Sequence, residues 1–201
     1  MINEKQLEDL AKIETASWAI WSDVNNKEYC KENIKSLKNN VVFVGLNRSG
    51  NKDSKSNPKN NIFKNFHTFG HKGDGLLKDT ISNLDFLKGA YMTDISNKIE
   101  SNENNVRIEK EAKVNFEKQL DILGADKFTI ICFGAKVLNF FIKEYGIKTK
   151  LKENKYKVKE LTITTGNKIL NLYGIRHYSY RFGKKEVFEN QLKYINDELK
   201  K

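Results

Sequence analysis

The sequence predicts an α/β fold, a three-layer αβα sandwich on a mainly parallel central sheet of about four strands. Two observations carry this expectation. Short runs that are apolar, β-branched or aromatic almost throughout recur at 41–45, 89–95, 128–134 and 169–175, and strands buried on both faces read this way. Between them lie longer segments whose apolar residues fall at helical spacing. Strands alternating with amphipathic helices are the pattern of a parallel sheet covered by its crossover helices.

From the N-terminus, Leu7, Leu10, Ala11, Trp18 and Trp21 recur at helical spacing, which predicts one amphipathic helix over residues 4 to 21 with the tryptophans packed into the core. A short helix is expected from Tyr29 to Leu37, ended by Asn39-Asn40, so residues 1–40 form a helical segment packed on the rest. Residues 41 to 50, V-V-F-V-G-L-N-R-S-G, hold the central strand: it stops at Gly45 and turns through Leu46, Asn47, Arg48, Ser49 and Gly50. Open α/β sheets place their ligands at such carboxyl strand ends. Residues 51–61, polar and holding the only proline, Pro58, read as an exposed loop. Residues 62–75, I-F-K-N-F-H-T-F-G-H-K-G-D-G, concentrate aromatic, histidine and glycine residues and release a helix from Leu76 to Leu87.

Gly89 to Ile95 is the second strand, with Thr93 and Asp94 at its polar end. Ile108, Ala112, Phe116, Leu120 and Leu123 stripe a long helix, and Phe128 to Gly134 is the third strand. Val137, Leu138, Phe141, Ile142 and Tyr145 give the next helix a strong apolar face. Lys148 to Lys168 is Lys-rich and reads as extended, with a hairpin turn at Thr165-Gly166-Asn167. Ile169 to Ile175 is the fourth strand, leading into R-H-Y-S-Y-R-F at 176–182, and Val187, Phe188, Leu192, Ile195 and Leu199 mark a closing helix. Right-handed crossovers would bring Asn47, Asp94, Gly134 and His177 to one edge of the sheet.

A chain of 201 residues suits a single domain over 1–201 with one sizeable core. No apolar run reaches the length of a membrane span, so no membrane partner is expected. The N-terminus lacks the basic-then-apolar pattern of a signal peptide. Cys30 and Cys132 stand alone and far apart, which implies neither a disulfide framework nor a cysteine metal cluster. A cytoplasmic monomer with reduced thiols is the expectation. The net charge of +10, from 36 Lys and Arg against 26 Asp and Glu, points to a polyanionic partner, although a Lys- and Asn-rich composition produces such a surplus by itself.

Four segments, G-L-N-R-S-G (45–50), N-F-H-T-F (65–69), Y-M-T-D-I (91–95) and H-Y-S-Y-R-F (177–182), stand in an order that resembles the uracil-DNA glycosylase superfamily. The similarity is to branches whose first motif reads Gly-x-Asn-Pro-Gly or Gly-x-Asn-Pro-Ser and whose last reads His-Pro-Ser, and it runs from Val41 onward. The resemblance implies hydrolysis of the N-glycosidic bond of a damaged or mispaired base flipped out of DNA, with no metal and no organic cofactor. It implies that Asn47, with Gly45 and Leu46 around it, positions the water. His177 would stabilise the departing base, Phe66 or Phe63 would stack on it, and Asp94 would read its edge. Ser49 and Ser179 would meet flanking phosphates, and Arg48, Tyr180 and Arg181 would contact DNA.

The chain departs from the motifs at Arg48 and Tyr178, which stand where those branches have proline, and at Asp94, which stands for an Asn. An ionised carboxylate only accepts hydrogen bonds, so Asp94 suits a base offering an N–H₂ donor, unless burial keeps it protonated. Read without the resemblance, Asn47 is also a turn residue and Asp94 a loop cap. Phe66 and Phe69 are core or pocket wall, and Asp74 is a second candidate to activate water. His67 and His71 lie four apart, but the glycines around them oppose a helix and no third ligand is evident. Two further functions fit the same residues: a non-catalytic nucleic-acid-binding module of this fold, and a hydrolase of free nucleosides or nucleotides.

Overall fold

The computed structural model describes residues 1–21, 26–48, 62–67, 72–148, 151–178 and 185–201. In chain order the elements are α1 (Glu4–Leu10), β1 (Ser17–Trp18), α2 (Asn26–Glu32), β2 (Lys38–Gly45), α3 (Lys72–Ile81), β3 (Ala90–Asp94), α4 (Ala112–Leu123), β4 (Lys127–Phe133), α5 (Ala135–Glu144), β5 (Lys152–Glu153), β6 (Lys159–Thr165), β7 (Lys168–Ile175) and α6 (Lys185–Glu198). They build one seven-stranded sheet in the order β1-β3-β2-β4-β7-β6-β5.

Its centre is parallel: β2 pairs with β3 and β4, and β4 pairs with β7. These are the four strands expected from the apolar runs. The expected sheet of about four mainly parallel strands is nonetheless corrected to a mixed, seven-stranded one. β1 joins β3 antiparallel at one edge, and β6 and β5 extend the other edge antiparallel. The omission has a physical cause: β1 and β5 are two residues each, too short to show a period. β6 is half-exposed and alternating, so it lacks the apolar run that marked the others.

Helices cover both faces. Leu7 and Leu10 of α1, Phe116 and Leu120 of α4 and Val137 and Phe141 of α5 pack with Val42, Val44, Ile130 and Leu172 from one face. Leu77 and Ile81 of α3 and Phe188, Leu192 and Ile195 of α6 pack with Phe43, Met92, Ile131, Phe133 and Ile175 from the other. Each side chain of this size, fully buried, contributes about 1.5–3 kcal/mol. Alternate residues of β2 thus serve two cores, which is why the strand reads as unbroken apolar sequence.

The single helix expected over residues 4 to 21 is also corrected. α1 opens with a reciprocal cap, the Asn3 side chain accepting from the Gln6 backbone at 2.9 Å, and ends at Leu10. The chain then turns, and Trp18 enters the sheet opposite Tyr91. Trp18 is fully buried, edge-on to Tyr91 at 5.1 Å and to Phe63 at 6.3 Å. The Thr15 and Thr93 hydroxyls share a hydrogen bond of 3.0 Å, and Ser17 donates to the Phe63 carbonyl at 3.0 Å. These tertiary contacts override a helical spacing of apolar residues that was coincidental. Among the described residues no helix is long and apolar enough to cross a membrane. Cys30 and Cys132 are free and buried.

Candidate functional site at the carboxyl edge of the sheet

Parallel pairing aligns the ends of the central strands. Gly45 ends β2 directly opposite Asp94 at the end of β3, and Phe133 ends β4 opposite Ile175 at the end of β7. Two residues beyond Ile175 comes His177. The expected edge therefore forms, and its side chains gather around the Phe133 ring. Phe66 is tilted against it at 6.4 Å between centroids, Tyr178 is edge-on at 5.1 Å and His177 edge-on at 6.2 Å. His177 stacks on Tyr178 at 4.5 Å with an interplanar angle of 22°.

Gly45 is required by this packing. A Cβ there would fall 2.1 Å from Asp94 Oδ1 and 3.1 Å from the edge of the Phe66 ring, well inside contact distance, so only glycine lets the carboxylate and the aromatic ring close on the strand end. Phe66 reaches this position with φ +64°, and Phe63 has φ +56°. A bulky residue in the left-handed region costs of order 1–3 kcal/mol and persists only where its surroundings fix it. At β4, Gly134 has φ +89° and opens α5, with His177 Cβ 3.8 Å from where its own Cβ would be.

Asp94 is the electrostatic centre of the cluster. It is only 5% exposed. Oδ2 accepts from Asn65 Nδ2 at 2.9 Å, and the same Asn65 nitrogen donates to the Thr15 carbonyl at 2.9 Å. Oδ1 is buried and has no hydrogen-bond partner among the described residues. Burial pushes the Asp94 carboxyl up to about 7, and the charge of Asp74 adds to this, while the Asn65 hydrogen bond and the Arg48 charge oppose it. Asp74, in the first turn of α3, is buried too. The Tyr178 phenol is held well above its ordinary range by burial and then by the charges of Asp74 and Asp94, with a hydrogen bond to Asp74.

Asn47 lies two residues past Gly45. Its Nδ2 donates to the Glu100 carbonyl at 2.7 Å and to the Arg48 carbonyl at 2.8 Å. Both amide hydrogens are thereby used, the side chain is fixed, and Oδ1 is the acceptor left for a water. Arg48 turns toward the body of the protein: its terminal nitrogen donates to Glu14 at 2.8 Å and to the Asn97 carbonyl at 3.2 Å. Its Nε is buried without a partner among the described residues. Leu46 is buried in the core on the α1, α4 and α5 side.

The structure therefore brings Gly45, Phe66 and Asp94 together and packs His177 on the same Phe133 ring as Phe66, with Asn47 on the turn after β2. Phe63 does not join them, because it packs with Trp18 in the opposite core. Ser49, Ser179, Tyr180 and Arg181 lie outside the described residues, as do Phe69 and His71. Three contributors were not expected as site residues. Phe133 is the hub, Asn65 fixes the carboxylate and Tyr178 carries the stacked histidine. Only adjacency to Phe66 and His177 hinted at the last two. His67 is taken by the core: Nε2 is 3.0 Å from the Trp18 carbonyl, which requires the nitrogen to be the protonated one, and its ring lies against Trp21 at 5.2 Å. Burial, with the Lys78 charge adding, lowers it to about 4 against the Trp18 hydrogen bond. Among the described residues no three His, Cys, Asp or Glu side chains come together to hold a metal.

This edge carries an acceptor on Asp94, an imidazole on His177 and an acceptor on Asn47, with the Phe66 ring closed over the end of β2. No protein-family model matches the chain and no curated protein is similar to it, so the functional reading rests on this geometry.

Proposed function

We propose that this chain hydrolyses the N-glycosidic bond of a base flipped out of DNA. One observation supports the reading: at the carboxyl edge of the parallel strands Asp94 and Phe66 close on Gly45, and Phe66 and His177 pack on the same Phe133 ring, with an anchored Asn47 on the turn after β2. A base in a duplex is inaccessible, and extruding it costs a few kcal/mol, least where it is damaged or mispaired. Once in the pocket it stacks on Phe66, and Asp94 reads its edge. Asn47 Oδ1 accepts a hydrogen bond from a water and aims its oxygen at the sugar carbon. The C–O bond forms as the C–N bond breaks, and the bonding pair leaves with the base. His177 donates to the base as it becomes negative, and one such donor is worth about 3 kcal/mol. The water's second proton passes to solvent or to the departing base. The surplus of 36 basic over 26 acidic residues supports a polyanion as partner and makes its binding fall steeply with salt.

The test uses end-labelled oligonucleotides, single- and double-stranded, carrying uracil, hypoxanthine, xanthine, a mismatched thymine, a mismatched adenine or an alkylated base. Abasic sites are revealed by alkaline cleavage. Cleavage at one base that falls by 100-fold or more in both Asn47→Ala and His177→Ala supports the proposal, by the size of effect one preorganised polar group has. Tight, salt-sensitive binding without cleavage replaces it with a non-catalytic module. Release of base from free nucleosides alone replaces it with a nucleoside hydrolase.

A further inference from the structure

We infer that the free oxygen of Asp94 is a reading atom for an exocyclic amino group, so that the site takes amino-bearing bases in preference to their carbonyl counterparts. The inference rests on the proposed reading of this edge as a base pocket and names which bases it holds.

The two oxygens of Asp94 are not equivalent. Oδ2 is taken by Asn65, which also bonds the Thr15 carbonyl and so cannot turn away without losing two hydrogen bonds. That fixes the carboxylate plane and leaves Oδ1 against Gly45 and the Phe66 ring. Oδ1 has no partner among the described residues, in a side chain only 5% exposed. A buried acceptor left unsatisfied costs about 1–3 kcal/mol, and more where it is charged. Natural structures keep few such atoms, and one beside an aromatic ring at a strand-end edge calls for a ligand donor.

The donor's chemistry follows from what surrounds it. Burial raises the Asp94 carboxyl to about 7 against the Asn65 hydrogen bond and the Arg48 charge, so above that pH it is ionised, and a donor arriving at Oδ1 favours that form further. An ionised carboxylate accepts only. In uracil or thymine the ring N–H lies between two carbonyls, so a carboxylate approaching it meets two repelling oxygens. An exocyclic N–H₂ at the rim of adenine, cytosine or guanine offers its hydrogen without that flanking pair. A carbonyl at the same rim position, as in hypoxanthine, turns a lone pair toward Oδ1. Oδ1 is closed off from solvent, so a ligand reaches it only with movement of its neighbours, Phe66 among them.

The test is binding of free bases by isothermal titration, with ligand-observed NMR for weak cases, at pH 8.5. Two matched pairs decide it: adenine against hypoxanthine, and cytosine against uracil. Wild-type protein is expected to favour the amino member of each pair about 10-fold or more, the worth of one hydrogen bond to a charged group. Asp94→Asn, checked for folding by circular dichroism, exchanges the acceptor for a donor and is expected to lose or reverse the preference. Equal or tighter binding of uracil and hypoxanthine by the wild type overturns the inference, as does no binding of any base. The wild-type pairs suffice should the variant fail to fold. The oligonucleotide assay separates the two proposals. Cleavage at carbonyl-bearing bases alone leaves the glycosidic reading standing and ends this one. An amino preference without cleavage or DNA binding does the reverse.

Discussion

Replacing Asp94 with asparagine should change the pH dependence of stability more than stability itself. The carboxyl is raised from an ordinary 3.8 to about 7, by burial first, with Asp74 adding and Asn65 and Arg48 opposing. A raised acid is one the folded state protonates more readily than the unfolded chain. Its ionisation therefore weakens the fold progressively as pH rises from about 4 to about 7, and the whole penalty is present above that. At about 1.4 kcal/mol per pH unit the full penalty is about 4 kcal/mol. Asparagine keeps the acceptor for Asn65 and carries no charge. It leaves one amide donor beside Gly45 and Phe66 unpaired, a cost of about 1–3 kcal/mol at every pH.

The unfolding free energies of wild type and Asp94→Asn, taken from urea titrations followed by tryptophan fluorescence, should therefore differ by an amount that moves with pH. Between pH 4.5 and 8.5 the difference should shift by about 3 kcal/mol in favour of the variant. Subtracting the two curves removes His67, which titrates in the same window with the opposite sign and does not contact Asp94. The Tyr178 phenol, held well above its usual range, stays neutral throughout. A difference that moves by less than about 1 kcal/mol would refute the reasoning, because such a carboxylate titrates as an exposed one does.

His67 gives the complementary prediction. It is lowered from 6.5 to about 4, so it stabilises the fold above pH 6.5, and wild type should lose about 3 kcal/mol relative to His67→Gln as pH falls toward 4. Chemical denaturation at pH 7 and at pH 4 checks this, and a constant difference between the two proteins sinks it. Gly45→Ala places a Cβ 2.1 Å from Asp94 Oδ1. Overpacking of this kind should cost about 2–3 kcal/mol, a fall in Tm of about 5–10 °C for a chain of this size, readable by calorimetry. An unchanged Tm would mean that Asp94 and Phe66 do not close on the strand end.

Much of the fold was legible because burial on two faces leaves a one-dimensional trace. Val41 to Val44 alternate between the two cores, so no polar residue interrupts them, and residues 128–133 read the same way apart from the buried Thr129. Where one face meets solvent, as in β6, only an extended reading and a hairpin turn at Thr165-Gly166-Asn167 showed, which the antiparallel β6–β7 pairing bears out. Where pairing involves two residues, as in β1 and β5, the trace disappears, so the sheet was undercounted. The candidate site was legible only as far as strand ends were. Asp94 and Gly45 could be placed opposite each other because parallel strands align their carboxyl ends. The role of Asn65 could not, since the Asp94 Oδ2 it holds is 29 residues away in sequence. The inward turn of Arg48 to Glu14, 34 residues back, likewise leaves no local signature. The glycines around His67 and His71 oppose a helix, and so a metal site, at their four-residue spacing, but the actual partner of His67, a carbonyl from β1, left no local signature.

Several departures from ordinary backbone and hydrogen-bond practice lie in or beside the residues 62–67 and the ends of β2 and β3. Among the described residues, Phe63 and Phe66 have positive φ on either side of the asparagine that fixes Asp94, and Lys157 has it before β6. Among the described residues the buried side-chain atoms without a partner include Asp94 Oδ1 at the end of β3, Arg48 Nε on the turn leaving β2, Trp18 Nε1 and Trp21 Nε1 in rings packed against Phe63 and His67, and the Tyr145 hydroxyl after α5. A core selected for stability alone would have no use for a charged acceptor wedged against a glycine. A hydrophobic residue at position 94, with a side chain at 45 to match, would pack the same volume without the carboxylate's roughly 4 kcal/mol penalty. The left-handed Phe66 and the unpartnered Asp94 Oδ1 place part of this strain and unmet polarity at the carboxyl edge of the sheet, where the proposed site lies. The pH-dependent stability shift of Asp94→Asn and the base preference proposed for Oδ1 are then two measurements on the same carboxylate.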